Sequence, residues 1–192
     1  MPKAAIKLPL LSLQRHHRSS SQKRCFPLSR PKNHVRDISL FTENSNIVIS
    51  TDKKVKAELY FDEDLLETKV INKKGFFTVR DKKEWNAEKP QLYTLKLYCA
   101  GEIIEQKIGF RDIGISERRE LLLNGKSIKL RGINHHDTSP DKGWYMSDEE
   151  LKKDLLLMKS LNINTIRTSH YPPTPRFLEY CDQLGFYVIL ET

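Results

Sequence analysis

Residues 147–190, SDEELKKDLLLMKSLNINTIRTSHYPPTPRFLEYCDQLGFYVIL, alternate between a helical and an extended period, and that rhythm decides the fold. Ser147-Asp148-Glu149-Glu150 is a capping box, in which the Ser hydroxyl and the Glu carboxylate three residues later each satisfy a free amide at a helix start. Leu151, Leu155 and Met158 then recur at helical spacing with Lys152, Lys153 and Lys159 outward, and the helix should stop near Leu161-Asn162. Ile163 to Thr168 reads as a short strand. Thr174-Pro175 opens a second helix with a hydroxyl cap and Pro at the first helical position. Phe177, Cys181 and Leu184 form its apolar stripe, Gly185 closes it, and Phe186 to Leu190 is a continuous apolar strand of the kind buried on both faces of a parallel sheet.

Just upstream, Leu121-Leu122-Leu123, Asn124-Gly125 and Ile128 to Ile133 give a two-residue hairpin signal, because Asn and Gly tolerate the positive φ of a type I′ turn. From about Ser116 onward the order is therefore strand, helix, strand, helix, strand. Right-handed crossovers make the three strands parallel and put their ends, near Asn134, Thr168 and Glu191, at one edge.

From Val35 to about Gly114 the pattern is different: short alternating runs separated by polar turns. Ile47 to Ile49, Val55 to Phe61, Leu66 to Ile71, Phe76 to Arg80, Leu92 to Tyr98 and Ile103 to Ile108 read as strands. Turn signals at Lys73-Lys74-Gly75 and Ala100-Gly101 join neighbours as hairpins. About 80 residues carrying some seven strands suit an immunoglobulin-like β-sandwich. Trp85 and Tyr93 read either as a sugar platform or as an anchor packed between strands, and the anchor is the favoured reading.

Charge and composition bound the remaining possibilities. The 192 residues carry 33 Lys+Arg against 25 Asp+Glu, a net charge of +8 that would suggest a polyanion-binding protein. Nine of those basic residues lie in residues 1–36, which contain no acidic residue, so the body is near neutral. The Arg- and Ser-rich segment through about Asn33 has no stable period, a composition shared by transit peptides, disordered tails and sequence unrelated to the body. A disordered tail on a cytoplasmic chain is the reading taken; an RNA-binding arm is weakened by having only Phe26 to stack on a base. The mean hydropathy is −0.57, and no apolar run approaches the roughly 20 residues needed to cross a bilayer. Neither a nucleic acid nor a membrane is expected as partner. Cys25, Cys99 and Cys181 are widely spaced and odd in number, which argues against a disulfide framework or zinc site.

The polar residues collect at the strand ends. Asn134-His135-His136-Asp137 follows the first strand, Arg167-Thr168-Ser169-His170-Tyr171 ends the second, and Glu191 ends the third. The carboxyl ends of parallel strands are where α/β folds bind ligands. Arg167 can hold a carboxylate bidentately and His170 can donate to a ligand hydroxyl, with a structural ion pair as the alternative for Arg167 and a loop cap for His135 or His136. His136, His170 and Glu191 lack the close spacing of a metal motif, and Ser169 beside His170 lacks the GxSxG elbow of a Ser hydrolase.

Several of these stretches carry a resemblance. Leu123-Asn124-Gly125-Lys126, Arg131-Gly132-Ile133-Asn134-His135-His136, Leu156-Leu157-Met158-Lys159, Asn164 to Pro172 and Cys181 to Val188 together resemble the bacterial β-galactosidases, in the glycoside hydrolase family that also contains β-glucuronidases and β-mannosidases. Arg36 to Leu40 and Gly109-Phe110-Arg111 resemble the borders of that family's immunoglobulin-like domain. The resemblance implies a multidomain β plus α/β chain: a basic segment at 1–34, an immunoglobulin-like β-sandwich at 35–114, and the first three β/α units of an incomplete (β/α)8 TIM barrel at 117–192. It further implies a retaining β-galactosidase acting on terminal β-D-galactosides through two glutamates.

By position, Asn134, His136 and His170 match substrate-binding residues, and Arg167 matches the arginine that orients the nucleophile. No catalytic or metal residue is assigned. The family's acid/base and nucleophile glutamates lie beyond Thr192, and Glu191-Thr192 falls about four residues too early to match the Glu-Thr-His motif that supplies magnesium ligands. Mg and Na are expectations for a full-length family enzyme, not for this chain. The expected partners are the β-galactoside and either a complementary C-terminal polypeptide or a full-length homo-oligomer. The isolated chain is expected to be an inactive fragment; a non-catalytic carbohydrate- or partner-binding sandwich, or a fragment of a β-glucuronidase, are the alternatives.

Overall fold

The computed structural model describes Arg30 and residues 32–191. The basic segment read at 1–34, including Cys25, therefore falls almost wholly outside the described residues. The described chain forms two compact units, one of residues 30 to 85 and 91–111, the other of residues 86–90 and 112–191.

The first unit is an antiparallel β structure of five strands: β1 (Ile38–Glu43), β2 (Asn46–Phe61), β3 (Asp64–Thr78), β4 (Tyr93–Cys99) and β5 (Glu102–Ile108). β2 is central, pairing with β3 along one edge and with β1 and then β4 along the other, while β5 pairs with β4. The sequence divides β2 and β3 into four strands; here they are two long ones. The polar Asp52-Lys53-Lys54 interrupts the apolar alternation, but the backbone stays extended through it. Lys73-Lys74-Gly75 is correspondingly no hairpin: the register slips between the Ser50 and Lys54 pairs, with Lys73 at φ 67°, so a bulge bends the ribbon without reversing it.

Ala100-Gly101 is a reversal as expected, and the others lie at Asn44-Ser45 and Asp62-Glu63, each a two-residue loop opened by a residue with positive φ. Ile47, Ile49, Val55, Ala57, Leu59, Ile71, Phe77, Leu95 and Leu97 fill one core. Tyr93 belongs to the same core, and Trp85 is likewise buried, at 2% and 1% exposure, so neither is a surface platform. The Tyr93 ring lies 4.8 Å from Phe61 and 5.3 Å from Phe110, and its hydroxyl accepts the Lys83 amide at 2.8 Å.

The second unit opens with β6 (Ile113–Ile115), β7 (Leu121–Leu123) and β8 (Lys126–Ser127), a small antiparallel sheet turned at Asn124-Gly125, both at positive φ. It continues with β9 (Gly132–His135), α1 (Asp148–Ser160), β10 (Thr165–Thr168), α2 (Pro175–Leu184) and β11 (Tyr187–Ile189). β10 lies between β9 and β11, parallel to both. This is a parallel β/α arrangement, with three strands and two helices among the described residues.

The run Ile128 to Ile133 does not form one strand: the hairpin arm ends at Ser127 and the parallel strand begins at Gly132. Asn134 and His135 consequently lie within β9 and do not follow it. Both helix starts match their sequence signals. Ser147 and Glu150 complete the capping box, and Thr174 caps α2 ahead of Pro175. Leu151, Leu155, Met158, Ile166, Phe177, Cys181 and Phe186 form the core between sheet and helices. Among the described residues no helix is long and apolar enough to cross a membrane.

Candidate functional site at the strand ends

Parallel pairing puts Asn134 opposite Arg167 and Arg167 opposite Ile189, so the carboxyl ends of β9, β10 and β11 lie side by side. Arg167 spans all three. Its Nη1 donates to Asn134 Oδ1 at 3.2 Å and to Ser169 Oγ at 3.2 Å, and its Nη2 forms an ion pair with Glu191 Oε2. The same Glu191 oxygen is 3.3 Å from His170 Nδ1. The His170 side chain is 65% exposed, with Nε2 as its second polar atom for a ligand hydroxyl.

His136 adjoins this cluster through its ring. Its centroid is 5.4 Å from that of His170, nearly edge-on, and 6.3 Å from that of Tyr171. All four residues expected to bind or orient a substrate, Asn134, His136, Arg167 and His170, thus belong to one connected group.

The backbone that carries them is fixed by its own hydrogen bonds. The Ser169 amide donates to the His135 carbonyl at 3.0 Å, which ties the end of β10 to β9. The Glu191 amide donates to Thr168 Oγ1 at 3.1 Å, which ties β11 to β10. Tyr171 Oη accepts the Asp137 amide at 3.0 Å, holding the turn after His136. Burial pushes the Tyr171 phenol above its ordinary value, so it stays protonated at neutral pH.

His135 takes the loop-anchoring alternative. Strand alternation turns it away from exposed Asn134 and His136 into the interior, where it stacks on Phe177 of α2 at 5.2 Å. Its Nδ1 is 3.4 Å from Asp137 Oδ1.

The sequence places Glu191 only as a polar residue at the third strand end, with no metal role assigned to it, and misses its pairing with Arg167. A carboxylate one strand over from an Arg, at matching height, is the signal that indicates it. Ser169 and Tyr171 are missed as supports because a single hydroxyl near a strand end carries no periodicity. Among the described residues no group of three or more His, Cys, Asp or Glu side chains converges as a metal would need. A hard divalent ion such as Mg2+ takes about six oxygen ligands, a set that these strand-end side chains do not bring together.

The arrangement is suited to a polyhydroxylated ligand: a guanidinium, two imidazoles, a carboxylate and a carboxamide, close together and partly open to solvent. Polar groups fixed at the ends of paired strands bind such molecules by directional hydrogen bonds.

Residues 25–111 match the family described as glycosyl hydrolases family 2, and residues 114–192 match the TIM barrel domain of the same family. The chain is 41% identical over 176 residues to a beta-galactosidase of Actinobacillus pleuropneumoniae, covering 86% of this chain and 17% of that protein. It is 38% identical over 176 residues to a beta-galactosidase of Staphylococcus xylosus, covering 85% of this chain and 18% of that protein. Among solved structures, Faecalibacterium prausnitzii beta-glucuronidase superposes with a TM-score of 0.77 at 25% identity, over 84% of this chain and 28% of that chain. The chain therefore spans under a fifth of the length of these curated relatives. With matches to the two parts of one family running nearly without a break from residue 25 to 192, the chain belongs to family 2 of the glycosyl hydrolases.

Proposed function

We propose that the chain supplies part of the sugar pocket of a retaining β-galactosidase that hydrolyses terminal β-D-galactosides. The observation that carries this reading is the Arg167 network, which links Asn134, Ser169 and Glu191 beside the two imidazoles. In this reading Asn134, His136 and His170 hold the hydroxyls of the galactosyl ring. As the anomeric carbon gains positive charge, hydrogen bonds to these hydroxyls strengthen, which favours the oxocarbenium-like transition state over the ground state. Arg167 orients the nucleophilic carboxylate by a directional, charge-assisted contact.

Retaining hydrolysis needs two carboxyl groups about 5 to 5.5 Å apart, one attacking the sugar and one passing protons. Asp137 is engaged by His135, and Glu191 by Arg167 and His170, so neither serves as that pair. The reactive glutamates belong to polypeptide outside these residues. In this proposal the first unit is an immunoglobulin-like sandwich and β9 to β11 begin a (β/α)8 barrel. The barrel is completed by a complementary C-terminal polypeptide or within a full-length oligomer.

A glucuronide is the second reading, favoured by the fold likeness to beta-glucuronidases. A uronic acid needs a cation for its carboxylate, and at these strand ends Arg167 already has Glu191; the galactoside reading is therefore preferred.

The test is hydrolysis of an aryl β-galactoside and an aryl β-glucuronide by the purified chain, alone and mixed with a polypeptide carrying the rest of the barrel. Galactoside turnover only in the mixture, abolished by His170→Ala, supports the proposal. Turnover by the chain alone, or of the glucuronide only, contradicts it.

A further inference from the structure

Trp144 is unusual in being a large aromatic side chain that is 62% exposed. It sits on the loop between β9 and α1, and that loop is well anchored. Ser139 and Gly143 exchange two backbone hydrogen bonds at 2.8 and 2.9 Å. Glu150 at the start of α1 accepts from Ser139 Oγ at 3.1 Å, from Lys142 Nζ at 2.9 Å and from the Ser147 amide at 2.8 Å. The indole is thus carried at the end of a braced turn.

Its ring packs against Tyr171, 5.8 Å between centroids at 51°. Tyr171 in turn lies 6.3 Å from His136, which lies 5.4 Å from His170. A row of rings therefore runs from the candidate sugar site to the exposed indole of Trp144. A pyranose presents C–H groups carrying partial positive charge, which are attracted to the negative face of an indole. A single exposed ring continuous with a cluster of polar side chains suits one further sugar unit better than a protein partner, which would need a broad apolar patch.

We propose that Trp144, backed by Tyr171, is a platform for the second sugar ring of an oligosaccharide whose terminal galactose occupies the His136–His170 site. This rests on the galactoside reading above and adds to it the preferred chemistry of the leaving group: a saccharide that stacks on the indole.

The experiment compares binding of methyl β-D-galactopyranoside and β-1,4-galactobiose to the full 192-residue chain by ligand-observed NMR, for the native chain, Trp144→Ala and Trp144→Phe. A stacking contact with a large aromatic ring gives a preference of about tenfold for the disaccharide in the native chain. Trp144→Ala is expected to abolish that preference while leaving the monosaccharide affinity unchanged, and Trp144→Phe to retain part of it. Thermal midpoints of the variants check that the fold is intact. A native chain without the preference, or a preference that survives Trp144→Ala, overturns this inference and leaves the galactose site standing. Binding of neither sugar by the native chain overturns both.

Discussion

Arg167 of β10 and Glu191 after β11 form an ion pair that joins neighbouring strands at their carboxyl ends, with side-chain exposures of 35% and 33%. Such a half-open pair contributes little to folding, at most about 1 kcal/mol, because water screens both charges. Its weight lies in positioning. Arg167→Ala is expected to leave the thermal midpoint nearly unchanged while weakening methyl β-D-galactopyranoside binding at least about tenfold, the scale of one lost charge-assisted contact. Calorimetric unfolding and an NMR titration of the same sample measure the two effects; a large loss of stability with affinity preserved contradicts this division.

Glu150 provides a pH-dependent contribution. The Ser147 amide, and then the Lys142 ammonium, hold its carboxyl at about 2, against an ordinary 4.5. A carboxyl lowered by folding stabilises the native state fully above its unfolded value, and the stabilisation is lost as pH falls toward the folded value. Glu150→Gln is therefore expected to lower the urea midpoint at pH 7, with the difference from the native chain shrinking between about pH 4.5 and pH 2. A difference that stays constant or grows on acidification contradicts the assignment.

Gly185 is required twice over. It closes α2 with φ at 77°, and a Cβ there would overlap the Ala87 carbonyl oxygen and approach its carbon to 2.9 Å. Lys159 Nζ reinforces the same place, donating to the Ala87 and Gly185 carbonyls at 2.8 and 2.7 Å. Gly185→Ala adds a left-handed backbone penalty to a collision with rigid backbone, and a loss of about 2 kcal/mol or more is expected in denaturant unfolding. A loss under about 0.5 kcal/mol would mean that this segment yields freely.

Leu155 lies at 0% exposure between α1 and the parallel sheet. Leu155→Ala removes buried methyl groups and leaves a cavity, which costs about 2 to 5 kcal/mol. Cooperative unfolding monitored by circular dichroism reads this directly; an unchanged midpoint would place α1 off the sheet.

Local signals that satisfy backbone groups were legible in the sequence. Ser147 with Glu150, Thr174 with Pro175, Gly185, and Asn124-Gly125 each mark a chain end or reversal that only those side chains resolve, and the structure has all four where expected. The strand-end residues were legible for a related reason, since parallel crossovers oblige Asn134, Arg167 and Glu191 to share an edge. Lys73-Lys74-Gly75 misled because a bulge and a turn use the same residues; what separates them is pairing on the far side of β2, which is not local. The resemblance selects His136 over His135, but the reason appears only once Gly132 opens β9, since one residue of register decides which ring faces Phe177 and which is exposed. Trp144 carried no signal at all, being a loop residue whose neighbour Tyr171 lies on another strand connection.

The most direct test of a shared galactose site is a titration of the chain with methyl β-D-galactopyranoside, followed through the imidazole C–H resonances of its histidines. His136 and His170 are expected to shift together along one saturation curve, and in Arg167→Ala both curves are expected to move to at least about tenfold higher sugar concentration. Saturable binding that leaves His136 and His170 unmoved, or that moves only one of them, would contradict the shared site.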